Sequence, residues 1–399
     1  MTKLPSNWKR VRFDSITRIE NGQVSPLEDC YADRLYLGPE NIESGTGAIS
    51  GLKTCRALGL TSGKYPFRAG AIVYSKIRPN LNKVCLVDFD GVSSADAYPI
   101  YVNAEVAAAF LVQVMRSPMF VRQAIATSAR TGMPKVNREE LGSFIVPIPP
   151  FSEQQTIAAI LHAWDRGIEK LQQLIIVKTD RMGALRRDLL FGEQRFSFAR
   201  RAKWQCVQLS EVLKHIFRPV NWSPNDVYRL ISIRRRCGGL FRREDLRGAD
   251  YKTTDLHEIR TGDFLVSKRQ VVHGAWGMVT KEFSGCHVSK EYSILVNKAP
   301  DVLHMPFFDW LCHEQRMWHL AFLASDGVHR EKLIFDSKDF LRHYIELPPT
   351  IEEQKHIVQV LDACDREIRL LEAELEALKQ QKRGLMQKLL TGEIRVKTK

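Results

Sequence analysis

The groups in this chain of 399 residues that could do chemistry are of two kinds. Some strings approach catalytic motifs and miss them; other polar clusters recur at matched places. Gly59-Leu60-Thr61-Ser62-Gly63-Lys64-Tyr65 comes nearest to a nucleotide-binding loop, but it is one residue short and puts Tyr65 where a magnesium-binding hydroxyl belongs. No G-x-G-x-x-G string and no His-Glu-x-x-His helix occurs. Both Pro-Pro pairs follow apolar residues, Ile148 and Leu347, so the Asp/Asn-Pro-Pro-Tyr/Phe string of adenine methyltransferases is missing as well. The eight cysteines include no Cys-x-x-Cys pair, and Cys286-His287 and Cys312-His313 are too close for zinc-ligand spacing. No catalytic residue and no metal ligand is assigned, and the chain is expected not to be an enzyme.

The recurring clusters are binding chemistry. Ser75, Lys76, Arg78, Asn80, Asn82 and Lys83 follow an apolar run; Ser267, Lys268, Arg269, Gln270 and His273 follow another of the same pattern. Arg and Lys pair with guanine or phosphate, and Asn and Gln with adenine edges. Arg130, Lys135 and Arg138 flank a loop at Gly132, and His329, Arg330 and Lys332 follow Gly327, where small residues let a backbone approach phosphates. Arg234 and Arg235 open a run of three arginines, with Arg242 and Arg243 close behind. A net charge of +13 favours a polyanion, nucleic acid first. Each cluster alone also fits an ordinary solvated turn; the matched positions favour DNA binding.

The positioning elements come from a duplication. Shifted by 200 positions, residues 153–193 fall on 353–393 without a gap, with Glu153-Gln154 on Glu353-Gln354 and Gly192-Glu193 on Gly392-Glu393. A period of half the chain means two similar halves, not a solenoid. Each half opens on a Trp and an alternating strand (from Trp8 and Trp204). A polar Gly-rich region without a clear pattern follows. Next come the strand ending in Ser-Lys and an apolar strand starting at Val92 or Val288. Aromatic-rich helices near 104–126 and 305–323, then a short strand closing on Pro-Pro, complete the half.

A long helix begins after each Pro-Pro, with Ser152 as a candidate N-cap and Glu153 and Glu352-Glu353 suiting the positive helix start. Leu161, Ile168, Leu171, Ile175 and Leu185 mark an a/d seam in the first, and Leu361, Ile368, Leu371, Leu375 and Leu385 in the second. Lys178 and Lys382 interrupt these seams, and Gly192 and Gly392 suit the helix exits. Two matched stripes related by a two-fold axis pair antiparallel. The fold class expected is α+β, with two mixed globular domains, two long helices as an antiparallel coiled coil, and a pseudo-two-fold repeat. Boundaries fall at 1–150, 151–197, 198–347 and 348–399. No eighteen-residue apolar run and no signal-like start is present, so a cytoplasmic protein with reduced cysteines and no membrane contact is expected.

With these marks the chain resembles the specificity subunit of type I restriction-modification systems. The resemblance rests on the Pro-Pro-x-x-Glu-Gln starts, the Leu-Leu-x-Gly-Glu exits and the Ser-Lys and Val-Ser strands. It implies two target-recognition domains, at 1–150 and 198–347, that read the halves of a split double-stranded DNA site. It implies that the helices at 151–197 and 348–399 act as a ruler and dock two methyltransferase subunits, and that endonuclease/translocase subunits join through that core. It implies no cofactor on this chain: S-adenosylmethionine, ATP and magnesium belong to the partners. The other reading is a coiled-coil scaffold that binds proteins without DNA specificity.

Overall fold

A computed structural model of the chain describes residues 4–128, 134–199, 202–250, 254–327, 329 and 333–397. The chain forms two compact units, Met1–Leu174 with Leu371–Lys399, and Ile175–Leu370. Each unit takes one sheet domain, the leading part of one long helix and the trailing part of the other.

In the first unit the central sheet is antiparallel, in the order Thr17–Ile19, Ala97–Val102, Ile72–Ser75, Val84–Leu86. Period-two alternation sends its side chains to two different cores. Ile72 and Tyr74 join Phe110, Met115 and Phe120 of the helices Ala108–Arg116 and Pro118–Ser128. Val73 and Cys85 join Leu37 and Phe67 of a second sheet, ordered Lys53–Thr54, Leu35–Leu37, Gly91–Ser93, Tyr65–Phe67. Lys9–Arg12 pairs antiparallel with Ile145–Ile148 and closes the domain just before the long helix.

The second unit repeats this arrangement strand for strand. Leu213–Ile216, Tyr292–Asn297, Phe264–Ser267 and Trp276–Met278 form its central sheet. Leu240–Arg247, Val227–Ile233, His287–Ser289 and Leu256–Glu258 form the second sheet, and Gln205–Gln208 pairs with Tyr344–Leu347. Two sequence expectations need correction here. The runs from Val92 and Val288 are not single strands: Gly91–Ser93 and His287–Ser289 belong to the second sheets, whereas Ala97–Val102 and Tyr292–Asn297 belong to the central ones. The patternless Gly-rich regions supply most of those second sheets.

The long helices span Phe151–Leu190 and Ile351–Thr391. Ser152 is inside the first helix and not its cap, and the amides of Glu153 and Gln154 turn back to the Pro150 carbonyl. In the second helix Thr350, at the place of Pro150, accepts the Glu353 amide at 3.2 Å through its hydroxyl. Gly192 and Gly392 end the helices at φ 72° and 75°, the left-handed conformation expected there.

Within each unit the two helical stretches run antiparallel. In the first, Ile157 and Leu161 share a core with Met386, Leu389 and Leu390; in the second, Leu189 and Leu190 share one with Ile357 and Leu361. Leu161 and Leu361 are fully buried and Ile168 and Ile368 nearly so, while Leu171, Ile175, Leu185, Leu371, Leu375 and Leu385 are half-buried. A seam covered by one helix leaves part of each side chain in water; domain packing adds the rest. The lysines that interrupt the seams are answered across them. Lys178 Nζ is 2.6 Å from Glu367, and Lys382 donates to Asp165, which also accepts from Gln113 at 3.1 Å.

The Glu-Gln pairs join helix, domain and opposite helix end. Gln154 accepts the Ala107 amide at 2.8 Å and donates to the carbonyls of Glu105 and Pro149; Gln354 accepts the His304 amide at 2.7 Å and donates to Val302 and Pro348. Glu153 takes a two-pronged bond from Arg395 at 2.7 and 2.9 Å and the Trp8 indole N–H at 3.1 Å. Glu353 takes the same two-pronged bond from Arg195, at 2.8 Å on both oxygens. A parallel fork between guanidinium and carboxylate is the strong form of this contact.

Arg195→Ala leaves the Glu353 carboxylate, 1% exposed, without its cation and is expected to cost about 3–5 kcal/mol, read as a fall in the urea midpoint. A second expectation concerns Asp309, half-buried beside Cys312 with the Met278 amide 3.2 Å from its Oδ1. Burial raises its carboxyl from 3.8 to about 6. The neutral acid is the form that suits the fold, so its contribution is complete below pH 3.8 and is lost as pH rises to about 6. Asp309→Asn should therefore raise stability at pH 7.5 by roughly 1–3 kcal/mol, with the gain shrinking to nothing near pH 4 in urea titrations run at both values.

Candidate nucleic-acid interface

The Ser-Lys strand ends lie at one edge of each central sheet, because the strand before them is buried along its whole length and its tip is the first place water is reached. In the first unit the hydroxyl of Ser75, 3% exposed, donates to the Ile77 carbonyl at 3.1 Å. Lys76 lies 3.5 Å from Asp96 and 5.5 Å over the Tyr98 ring. Arg78 and Asn82 take left-handed backbones at φ 48° and 49°, on either side of the short turn Pro79–Leu81. The Asn82 amide donates to the Arg116 carbonyl at 2.9 Å, and Lys83 Nζ reaches the Pro39 carbonyl at 2.5 Å. Arg78 and Asn80 point their side chains to solvent, as does Lys135, whose strand-like backbone bridges to Ile77.

The equivalent place in the second unit is built the same way. Ser267 is 9% exposed, and its amide bonds to Ala275. Lys268 is half-buried with both backbone groups paired, to Glu291 and Phe335. Arg269 is exposed and 2.5 Å from Glu291. Gln270 and His273 are half-buried at the ends of a short turn. The Arg234–Arg236 turn packs onto that turn through Arg236 N–H to His273 at 2.7 Å and Cys237 N–H to Gly274 at 2.8 Å. Sequence reading treated these as separate clusters; the structure makes them one surface. Arg234 is exposed with its guanidinium 4.5 Å over Phe241, and Arg235 is exposed. His329 is exposed at the mouth of a cavity of about 750 Å³ shared with Trp318 and Phe322. Arg130, Arg330 and Lys332 lie outside the described residues.

These positions divide by what they can do. Ser75, Asn82 and Lys83 each give a side-chain donor to their own fold, and Ser267 is buried. Arg78, Asn80, Lys135, Arg234 and Arg235 are exposed, and exposed donors can be lent to a phosphate or a base; Arg269, exposed too, is already paired with Glu291. Sequence reading missed the rings that seat the first surface: Arg138 lies 4.7 Å over Tyr98 and 5.1 Å over Tyr65, so Lys76 and Arg138 share the Tyr98 ring. The available signal was a tyrosine in the neighbouring strand Ala97–Val102 and another in Tyr65–Phe67, the strand that precedes the Ser-Lys strand in the chain. Burial, and next Lys268, holds the His215 imidazole below its ordinary value, so it is neutral at neutral pH. Among the described residues no helix is long and apolar enough to cross a membrane.

Residues 5–178 match the type I restriction modification DNA specificity domain. The type I restriction enzyme EcoDI specificity subunit of Escherichia coli is 41% identical over 157 residues, 39% of this chain and 34% of that one. The putative type I restriction enzyme MjaX specificity subunit of Methanocaldococcus jannaschii is 24% identical over 279 residues, 66% of this chain and 62% of that one. The matches thus span between a third and two thirds of these relatives. Among solved structures, a chain from work on complex assembly and conformational transition of the type I R-M system aligns with TM-score 0.60 at 20% identity, over 99% of this chain and 100% of that one. The HsdS subunit from Thermoanaerobacter tengcongensis aligns with TM-score 0.54 at 21% identity, over 98% and 99%. At these identities the likeness to solved structures is one of fold.

The division between inward and outward side chains has a direct readout. Asn82→Ala and Lys83→Ala should each lower stability, by about 1–2 kcal/mol. Arg78→Ala and Asn80→Ala should leave it within about 0.5 kcal/mol, all four measured by urea unfolding.

Proposed function

From a chain whose residues 5–178 match the type I restriction modification DNA specificity domain and whose whole length is similar in fold to an HsdS subunit, we propose a non-catalytic DNA-recognition subunit. It reads a bipartite duplex site, one half-site per sheet domain, and docks methyltransferase subunits, two of them, through which endonuclease/translocase subunits join. The observation that carries this is the repetition of one strand order in both units, each presenting exposed arginines beside the end of its Ser-Lys strand. A repeated reading surface on a repeated frame suits a split target. The shared frame explains why both domains bind DNA, and their differing edges explain why they would read different bases. A protein-binding scaffold accounts for the helices but not for the DNA specificity domain.

The long helices serve as the spacer in this reading. At ~1.5 Å per residue each is about 60 Å long, and the ion pairs on their seams oppose sliding. Two modest half-site affinities add through high effective concentration when the second domain is already in place. One added base pair shifts the second half-site by about 3.4 Å and turns it to another face of the duplex. Helix faces not turned to a domain are the docking surface for methyltransferases; Ile176, Val177 and Leu370 are more than half exposed there. S-adenosylmethionine, ATP and magnesium act on the partners, and the assembly works in the cytoplasm.

Methylation mapping in cells that carry this chain with a methyltransferase partner should return one split motif with a fixed gap. A contiguous motif, or a gap that varies, contradicts the reading. With purified chain, Arg78→Ala and Arg235→Ala should each weaken duplex binding and reduce the slope of log K against log salt by about 1.

A further inference from the structure

Phe217 is 68% exposed, the highest value among the large apolar side chains of the described residues. It directly follows the strand Leu213–Ile216, in which Ile216 stands opposite Ile294. On the other side of that partner strand, Val266 stands opposite Ser293 and Ser267 opposite Tyr292. Continuing the register by one residue puts Phe217 level with Val266, at the sheet end that carries Ser267 and Lys268. Two rings hold it there. His215 meets it edge to face with centroids 4.5 Å apart, and His257 lies 5.9 Å away. Both histidines are anchored, His215 Nδ1 3.1 Å from Ser337 Oγ and His257 Nε2 3.3 Å from Asp255.

Lysines lie around these rings, with Asp255 and Asp336 as carboxylates among them. Lys214 and Lys338 are exposed and Lys268 is half-buried; Lys268 and Lys338 act on the His215 ring, with Asp336 the anion opposing them. Such a setting attracts a polyanion, and an apolar ring projecting from it finds its apolar partner in the bases behind the phosphates. The feature does not belong to the shared frame. In the first unit Ser75 stands opposite Ala97 as Ser267 stands opposite Tyr292, and Ile19 opposite Ile100 as His215 stands opposite Leu295, so the place of Phe217 is taken by Asn21. Differences between two copies of one frame are where distinct specificities are built.

Resting on the DNA-recognition reading above, we propose that Phe217 is an apolar base-contacting residue of the second domain, its ring packing on bases of the half-site which that domain reads. Two known forms of the contact share this chemistry: packing on a thymine methyl, and wedging between base pairs.

The test uses the full chain assembled with its methyltransferase partner, a duplex bearing the mapped site, and a scrambled duplex. Phe217→Ala should bind the mapped site roughly 5- to 150-fold more weakly, with binding to the scrambled duplex, salt slope and unfolding midpoint unchanged. Phe217→Leu should fall between. Deoxyuridine in place of thymine reproduces the loss if the ring packs on a methyl; 2-aminopurine in the half-site brightens on binding if the ring wedges. Equal affinity of wild type and Phe217→Ala for the mapped site overturns the proposal. So does an equal loss on both duplexes, or weaker methyltransferase assembly with intact DNA affinity, which would make the ring a protein contact. A wild-type complex that does not distinguish the two duplexes overturns the recognition reading itself, and this proposal with it.

Discussion

The fork between a buried glutamate at a helix start and an arginine beyond the exit of the other long helix is the contact on which the rest depends. Glu153 and Glu353 are 2% and 1% exposed, and each would be a costly isolated charge if its arginine were absent. Arg395 and Arg195 come from chain that has just left a long helix, so each fork holds the start of one helix to the end of the other. The adjacent Gln154 and Gln354 fix that junction to the domain by filling backbone donors and acceptors that the loops leave open. Helix pairing, helix docking and loop position are thereby set by two neighbouring side chains, repeated once.

That motif was the most legible part of the sequence, because ungapped identity at a 200-residue shift and a leucine stripe of helical period both survive without structural context. The seam was legible for the same reason, and its two lysines looked like defects. They are not: Glu367 and Asp165 stand across from them, and a long-range carboxylate partner leaves no local trace. The second sheets were not legible. Their strands are two to eight residues long, come from a Gly-rich region, and in Gly91–Ser93 and His287–Ser289 sit next to a strand of the other sheet with only a short turn between. Periodicity has too few residues there to show itself.

At the candidate interface residue types at matched positions were readable beforehand, and the structure sorts them by what their polar atoms already do. Asn82 and Lys83 looked like reading residues and are bonded to Arg116 and Pro39. Arg78 and Asn80, their near neighbours, are open. The left-handed backbones at Arg78 and Asn82 explain this sorting, since they turn alternate side chains of one short loop in opposite directions. The contact between the Arg234–Arg236 turn and the Ser-Lys turn was invisible in sequence because it rests on backbone bonds between segments far apart in the chain.

Synthesis on the ribosome meets the two units unequally. Ile175–Leu370 is one continuous stretch, whereas the other unit needs Leu371–Lys399. Its Pro5 packs where a Cβ on Gly392 would come within 2.6 Å, and its Glu153 waits for Arg395. Residues 1–174 are thus completed only after the unit that follows them: their apolar helix face stays uncovered until Leu371–Lys399 emerges. A chain without Leu371–Lys399 would leave that face bare and the Glu153 carboxylate without its arginine.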